Sequence, residues 1–507
     1  MRAIIEFVLY LLLLSGSALL VFGVETFSFK CPLLLFLAML GVGFALALIG
    51  KRWGRGMLLL AIPMAVLLAH LSAERLWSPQ DEHRLAQVYR LTPDLKKAEY
   101  PPRVDEKAAI SPDSGAIPEP PHFKVKTRPL LNGGKEDKVE VRLPEGLDLQ
   151  AVASGLNGVA DMIFAPESSM DTLYVSVPDT GTIYRLERKL PSADEKDAGA
   201  WSWRKSIFRS DLDQPMGLAW HSGCMYVATR TAVLKIDNPH SRRHESGTYI
   251  VTDLPPALPD ERRALAVASD GTLYLSVAAG DTDPESMQWQ QAAVLEINPD
   301  GEVELFATGL HHARTLERHP ESGEIWAADD APETLGFDAP ADEINVLERG
   351  ADYGWPFCYA FQIPDQELGT RTICRDTKAP LVTLPPHSVP AALAFGTHLN
   401  APRRYRSMLY VALQGRSDDP ERQGFRIMAL PLDNAGGLTG WGVDILSGCA
   451  TPTRIYSQPV ALAVSPNGNL YIADANNGVL YRLGFPFESR SGFSSEPGEK
   501  RAAGRHN

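Results

Sequence analysis

The sequence predicts an all-β six-bladed β-propeller preceded by three transmembrane α-helices. Three observations carry that prediction. First, a short strand motif recurs six times, as Leu173-Tyr174-Val175-Ser176, Met225-Tyr226-Val227-Ala228, Leu273-Tyr274-Leu275-Ser276, Ile325-Trp326-Ala327-Ala328, Leu409-Tyr410-Val411-Ala412 and Leu470-Tyr471-Ile472-Ala473. Its aromatics lie 52, 48, 52, 84 and 61 residues apart, and a period near 50 is that of four-stranded propeller blades. Second, an apolar strand precedes most units, such as Leu265-Ala266-Val267, and another follows most, such as Val294-Leu295-Glu296-Ile297. Third, residues 7–24, 31–50 and 57–73 are apolar runs near the length that crosses a bilayer.

Taken in order, these runs form a membrane anchor over residues 1–76. Glu6 before the first run and the absence of a small-residue cleavage site argue against a signal peptide. Arg2 precedes the first run, and Lys51, Arg52 and Arg55 lie between the second and third. The positive-inside rule then puts the N-terminus in the cytoplasm and everything after Ala73 outside, which in a bacterium is the periplasm, with the anchor in the inner membrane. Residues 77–138 thicken in proline and predict an extended tether. The propeller is expected over 139–487, with Val139-Glu140-Val141-Arg142-Leu143 closing the ring against the last blade, which removes an exposed edge. A polar tail, 488–507, follows.

A formal net charge of −13 without a basic stripe argues against a nucleic-acid partner. Five cysteines are too few for a disulfide scaffold. Cys358 and Cys374 flank a loop and can pair in an oxidising compartment. Cys31 lies in an apolar run, and Cys224 and Cys449 read as lone thiols.

The most informative stretch is 319–358. A strand ending at Trp326-Ala327 drops into a loop rich in Asp and Pro, 329–338, followed by the strand Asp342-Glu343-Ile344-Asn345 and the corner Tyr353-Gly354-Trp355-Pro356. Such loops can gather carboxylates and carbonyls for a hard cation, or be plain solvated acidic loops. The stretch resembles the glucose/sorbosone dehydrogenase family of six-bladed propellers that use pyrroloquinoline quinone (PQQ). That resemblance covers about residues 143–483 and favours a Cys358–Cys374 disulfide. It implies Ca²⁺ at Asp342, Glu343 and the Tyr353 carbonyl, and a cofactor-side loop beginning at Asp329 and Asp330.

Several cofactor-clamp positions of the resembled family are substituted. Its Gly-Leu-Arg-Asn turn reads Gly309-Leu310-His311-His312, and its Arg-Pro turn reads Gln458-Pro459. Its His-x-x-Arg base segment reads Asp260-Glu261-Arg262-Arg263, which keeps Arg263 and leaves Asp260 or His312 as the base. Arg416 is a substitute positive charge from another blade. His387 matches a family histidine, with packing against the inserted loop as its other reading.

The resemblance implies a dehydrogenase that oxidises a sugar or similar alcohol or aldehyde by hydride transfer to PQQ. Electrons would then pass to membrane quinone or a cytochrome. Two other readings remain open: a non-catalytic propeller that has lost the clamp, and a Ca²⁺-dependent lactonase-like hydrolase.

Overall fold

Each recurring unit folds into one four-stranded antiparallel sheet because its strands are short, apolar and separated by turn residues. The computed structural model describes residues 125–486 apart from 133–134, 167–170, 190–201, 241–246, 259, 281–286, 333–338 and 419–422. The three apolar runs, the linker as far as 124 and the tail 488–507 lie outside the described residues. Among the described residues no helix is long and apolar enough to cross a membrane.

Six blades form a ring. In chain order their first, innermost strands are Asp161–Phe164, Leu218–His221, Leu265–Val267, Ala313–Arg318, Pro390–Phe395 and Pro459–Val464. Neighbouring first strands touch in cyclic order, so they enclose an axial lumen. The recurring aromatic motif is the second strand of every blade, for example Thr172–Val177, Ile325–Asp329 and Leu470–Asp474, each buried throughout. Burial on both faces follows from blade stacking. Six apolar cores fill the six interfaces between consecutive blades, including that between the last blade and the first. The motif aromatics sit in them: Tyr471 meets Phe164 edge-on at 5.1 Å, and Trp326 meets Phe395 at 5.3 Å.

Ring closure uses a different segment from the one expected. Asp148–Ala153 pairs antiparallel with Val479–Gly484 and completes blade six from the N-terminal side. Residues 139–143 belong instead to Lys135–Pro144, which forms a hairpin with Val125–Asn132. This hairpin takes in residues 125–138, where the sequence suggests an extended tether. It meets blade five through reciprocal backbone hydrogen bonds between Arg142 and Ser447. Val141 and Leu143 are fully buried there, which accounts for their apolar character without a closure role.

First strands run away from one face of the ring and second strands return to it. The loops entering each blade and the loops joining second to third strands therefore share that face. The insertion in the 84-residue interval also reaches it. Ala351–Asp352 adds to blade three in parallel with its fourth strand, Val303–Thr308, and the chain then meets the turn into blade four. Tyr353 N–H donates to the Thr308 carbonyl at 2.9 Å and Trp355 N–H to the Gly309 carbonyl at 3.0 Å. Gly309 has φ +73°, and a Cβ there would lie 2.0 Å from the Asp352 carboxylate, so only glycine fits. A Cys358–Cys374 disulfide closes the insertion.

The loop face is fixed by a repeated bond. The last polar residue of the second strand accepts from backbone N–H groups where the same blade's first strand begins. Ser176 accepts from Asp161, Ser276 from Ala264, Asp329 from His311 and His312, and Asp474 from Gln458. Asp474 also accepts from the Asn476 and Asn477 N–H groups. Asp474→Ala is expected to lower unfolding free energy by about 1–3 kcal/mol, because three N–H groups, two of them half-buried, lose their acceptor. Asp474→Asn, which keeps one carbonyl oxygen, is expected to lose less. Chemical denaturation of the two variants checks the order.

Candidate active site

The site is built where the first strands of blades one, three and four start. These strands are mostly apolar, yet each carries charge at its loop end. Asp161 opens blade one, Arg262 stands just before blade three, and Arg314 is the second residue of blade four's first strand. All three line a cavity of about 420 Å³ along the axis, together with Arg263, Glu317, Arg318 and His398 and otherwise mainly apolar side chains.

Arg262 reaches from blade three toward blade one, donating to the Ala160 carbonyl at 2.8 Å and the Val159 carbonyl at 3.3 Å. Burial, helped by repulsion from Arg314, pulls its guanidinium down to about 9. Arg314 pairs with Asp330 at 3.1 Å and reaches Gln414 Oε1 of blade five at 3.4 Å. Its Nε is buried and has no partner among the described residues. Asp161 accepts from the Met162 and Leu218 N–H groups at 2.7 and 2.8 Å. Burial outweighs those bonds and pushes its carboxyl up to about 6. Glu317 is pushed up to about 8, first by burial and then by Asp161.

His312 is buried between these groups. Its Nε2 lies 3.0 Å from the Arg262 N–H, and its Nδ1 lies 3.5 Å from Arg314 Nη1. Burial first, then Arg314 and His311, hold its pKa well below the usual range, so the ring is neutral at physiological pH. His311 turns outward to the rim, with Nδ1 2.7 Å from the Asp330 carbonyl and its ring 5.5 Å from Trp355.

Other expected site residues fall elsewhere. Asp260 is exposed and does not line the cavity; the turn gives the axial position to Arg262 instead. Arg263 is the exception: it lines the cavity, but it is buried and its guanidinium holds the Arg230 and Pro255 carbonyls of neighbouring loops. Asp329 is spent on the His311 and His312 N–H groups, and burial raises its carboxyl well above the ordinary range. Arg416 is neutralised in a two-bond pair with Asp418 at 3.1 and 3.0 Å. Gln458 reaches the Gly415 carbonyl at 3.4 Å and ties blade six to blade five. His387 is buried with φ +57°.

The Asp342 and Glu343 carboxylates do not converge on one point. Consecutive residues of a strand face opposite ways. Asp342 accepts from Ala331, Ser388 and Val389, whereas Glu343 accepts from Ala360 and Asn345. The Tyr353 hydroxyl donates to the Val346 carbonyl at 2.6 Å. Among the described residues no group of three or more His, Cys, Asp or Glu side chains is placed to hold a metal. These carboxylates staple loops.

Sequence reasoning missed Asp161, Arg262, Arg314 and Glu317. Their signal is charge inside an otherwise apolar first strand. Blade four's reads Ala-Arg-Thr-Leu-Glu-Arg, and it is the one blade in which no apolar strand was recognisable before the motif.

A six-bladed ring with a charged axial mouth defines the class. Residues 228–417 match the family model described as Glucose / Sorbosone dehydrogenase, which places that segment, from blade two's second strand to the loop after blade five's second strand, in the glucose/sorbosone dehydrogenase family. An uncharacterized protein of Borreliella burgdorferi is 24% identical over 198 residues, 38% of this chain and 52% of the relative. The chain thus spans about half the length of the curated relative it matches. Two solved structures share the fold. The calcium structure of a Trichoderma reesei Carbohydrate-Active Enzymes Family AA12 protein has a TM-score of 0.56 at 19% identity, covering 68% of this chain and 96% of its own. The soluble aldose sugar dehydrogenase of Escherichia coli, in its apo form, has a TM-score of 0.50 at 13% identity, covering 67% and 99%.

The buried carboxyls have a measurable consequence. Glu343 is raised to about 7, chiefly by burial. The folded state then binds a proton that the unfolded chain has already lost above about pH 4.3. This contribution is full at low pH and is lost as pH rises through 7. With a chelator present, wild-type Tm is expected to fall between pH 5 and 8, and Glu343→Gln to flatten that slope. A thermal-shift series over pH checks it.

Proposed function

We propose that the protein is a sugar dehydrogenase-like oxidoreductase whose axial mouth holds a flat, anionic quinone of the PQQ type. The observation that carries the reading is Arg314. A guanidinium nine-tenths buried, paired on one side with Asp330 and close enough to Arg262 to lower its pKa, keeps an Nε–H with no partner among the described residues, a donor left for a further anion. The residues fit such a group. Arg314 and Arg262 would face its carboxylates, Gln414 and Gln458 would offer amides, and His311 with Trp355 would form the rim. When bound, PQQ supplies a quinone that accepts two electrons with a hydride.

His312 acts as a positioning residue. Its ring spans the Arg262 backbone and the Arg314 side chain, and its neutrality spares the mouth a further charge. Asp330 holds the other side of Arg314, so the guanidinium is aimed before any ligand arrives. Asp260, exposed outside the cavity, does not serve as base.

The Asp342 and Glu343 carboxylates diverge and each already accepts N–H or O–H groups, so they offer Ca²⁺ no paired-carboxylate site, and no step is assigned to it. The Asp260 exposure favours a second reading, a propeller that binds an anionic ligand without turnover. Residues 7–24, 31–50 and 57–73 and their flanking charges support attachment to the bacterial inner membrane with the propeller in the periplasm. Electrons would pass from there to membrane quinone or a cytochrome.

The test uses the full chain in detergent. PQQ is titrated by absorbance, and dye reduction is followed with a panel of aldoses. Binding at micromolar PQQ with sugar-dependent reduction is expected. Arg314→Gln is expected to weaken binding by about tenfold to a hundredfold, the loss of one charge-assisted contact. Binding without reduction supports the non-catalytic module, and no binding at micromolar PQQ overturns the proposal.

A further inference from the structure

The lumen below the mouth holds a carboxyl group that none of these roles uses. Glu317 lies three residues beyond Arg314 on blade four's first strand, about 10 Å deeper. Blade one faces blade four across a six-membered ring, and from it comes Asp161. Both acids are surrounded by protein yet incompletely covered, because they border the lumen itself. A volume of about 420 Å³ has room for roughly a dozen waters at about 30 Å³ each.

The other groups facing Glu317 are few. Arg314 stands above it and Arg318 beyond it on its own strand. Blade three contributes Arg262 and Arg263, and blade five contributes His398, exposed at the far end. Blades two and six present Leu218, Leu462 and Val464. Burial and the Asp161 carboxylate act on the Glu317 carboxyl. An acid in an apolar, water-sized passage with a second acid at its entrance is an arrangement for moving protons.

We propose that the lumen is the proton exit of the oxidation, with Asp161 accepting at the mouth and Glu317 relaying to water that opens beside His398. This rests on the dehydrogenase reading. In the step, the alcohol loses its carbinol C–H and its O–H and gains a C=O bond. The hydrogen and its electron pair go to a bound quinone, and the hydroxyl proton goes to Asp161. Proton affinity rises from Asp161 to Glu317, so transfer inward is downhill once Glu317 has released its own proton outward.

Glu317→Gln keeps the shape and removes the relay. Infrared spectra of wild type at pH 7 are expected to show a protonated carboxylic C=O band that shifts promptly in D₂O and is missing in the variant. With PQQ and an aldose, variant turnover is expected to fall about tenfold to a hundredfold, with KM nearly unchanged and the pH dependence near 8 lost. Equal turnover and pH profile in the two proteins, or a band that does not exchange, overturns the relay alone. An exchanging band in a wild type that reduces no dye with any aldose overturns the oxidation reading, and the relay as a step of it.

Discussion

The loop face depends on one bond repeated around the ring, from the end of a blade's second strand to the start of its first. Chain separations of 12 to 18 residues close through it. Where the acceptor is a serine, as at Ser176 and Ser276, one N–H of the entering turn is held. Where it is an aspartate, more N–H groups are held: Asp329 fixes His311 and His312 of the entering turn, and Asp474 fixes Gln458 there and Asn476 and Asn477 of the loop that follows it. A charged acceptor makes stronger hydrogen bonds than a hydroxyl. The aspartate blades therefore carry the more rigid loops, and blade four, which bears Arg314, is one of them.

That rigidity allows charge at the axis. Placing Arg262 and Arg314 near each other in a buried mouth is unfavourable in isolation, which is why Arg262 is pulled down to about 9. Fixed acceptors offset it: the Ala160 and Val159 carbonyls for Arg262, and Asp330 with Gln414 for Arg314. The two arginines and their partners come from four blades, so the mouth exists only when the ring is closed. Asp148–Ala153, far from the site, is in this sense part of it, because its pairing to Val479–Gly484 completes the ring.

The blades were legible because burial on two faces forces a strong pattern. The six aromatic motifs mark second strands throughout, and the acidic loop and Tyr353 corner pointed to the right family. Closure was misplaced because Val141 and Leu143 look like core strand residues and are core residues, buried under a hairpin instead. Site residues were harder. Asp260 and Arg262 are two positions apart in one turn, and periodicity says nothing about which faces the axis. Asp342 and Glu343 sit at the expected spacing for a metal, but strand alternation, which spacing along the chain conceals, sends them to opposite sides.

The displaced clamp shows how a charge can move and still act at one place. At the family's Arg-Asn turn this chain has His311-His312, and its arginine comes at 314. On an extended strand, residues two apart share a face, so 312 and 314 point the same way and differ by about 7 Å in depth. Their contact at 3.5 Å shows that they do share it, despite the irregularity between Ala313 and Thr315. Arg314 sits at that irregularity, opposite no residue of the second strand, and is held by Asp330 and Gln414 instead. Glu317, three residues further along the same strand, borders the same lumen. A turn-borne arginine would border the mouth alone. Arg314 borders both the mouth and the passage beneath it.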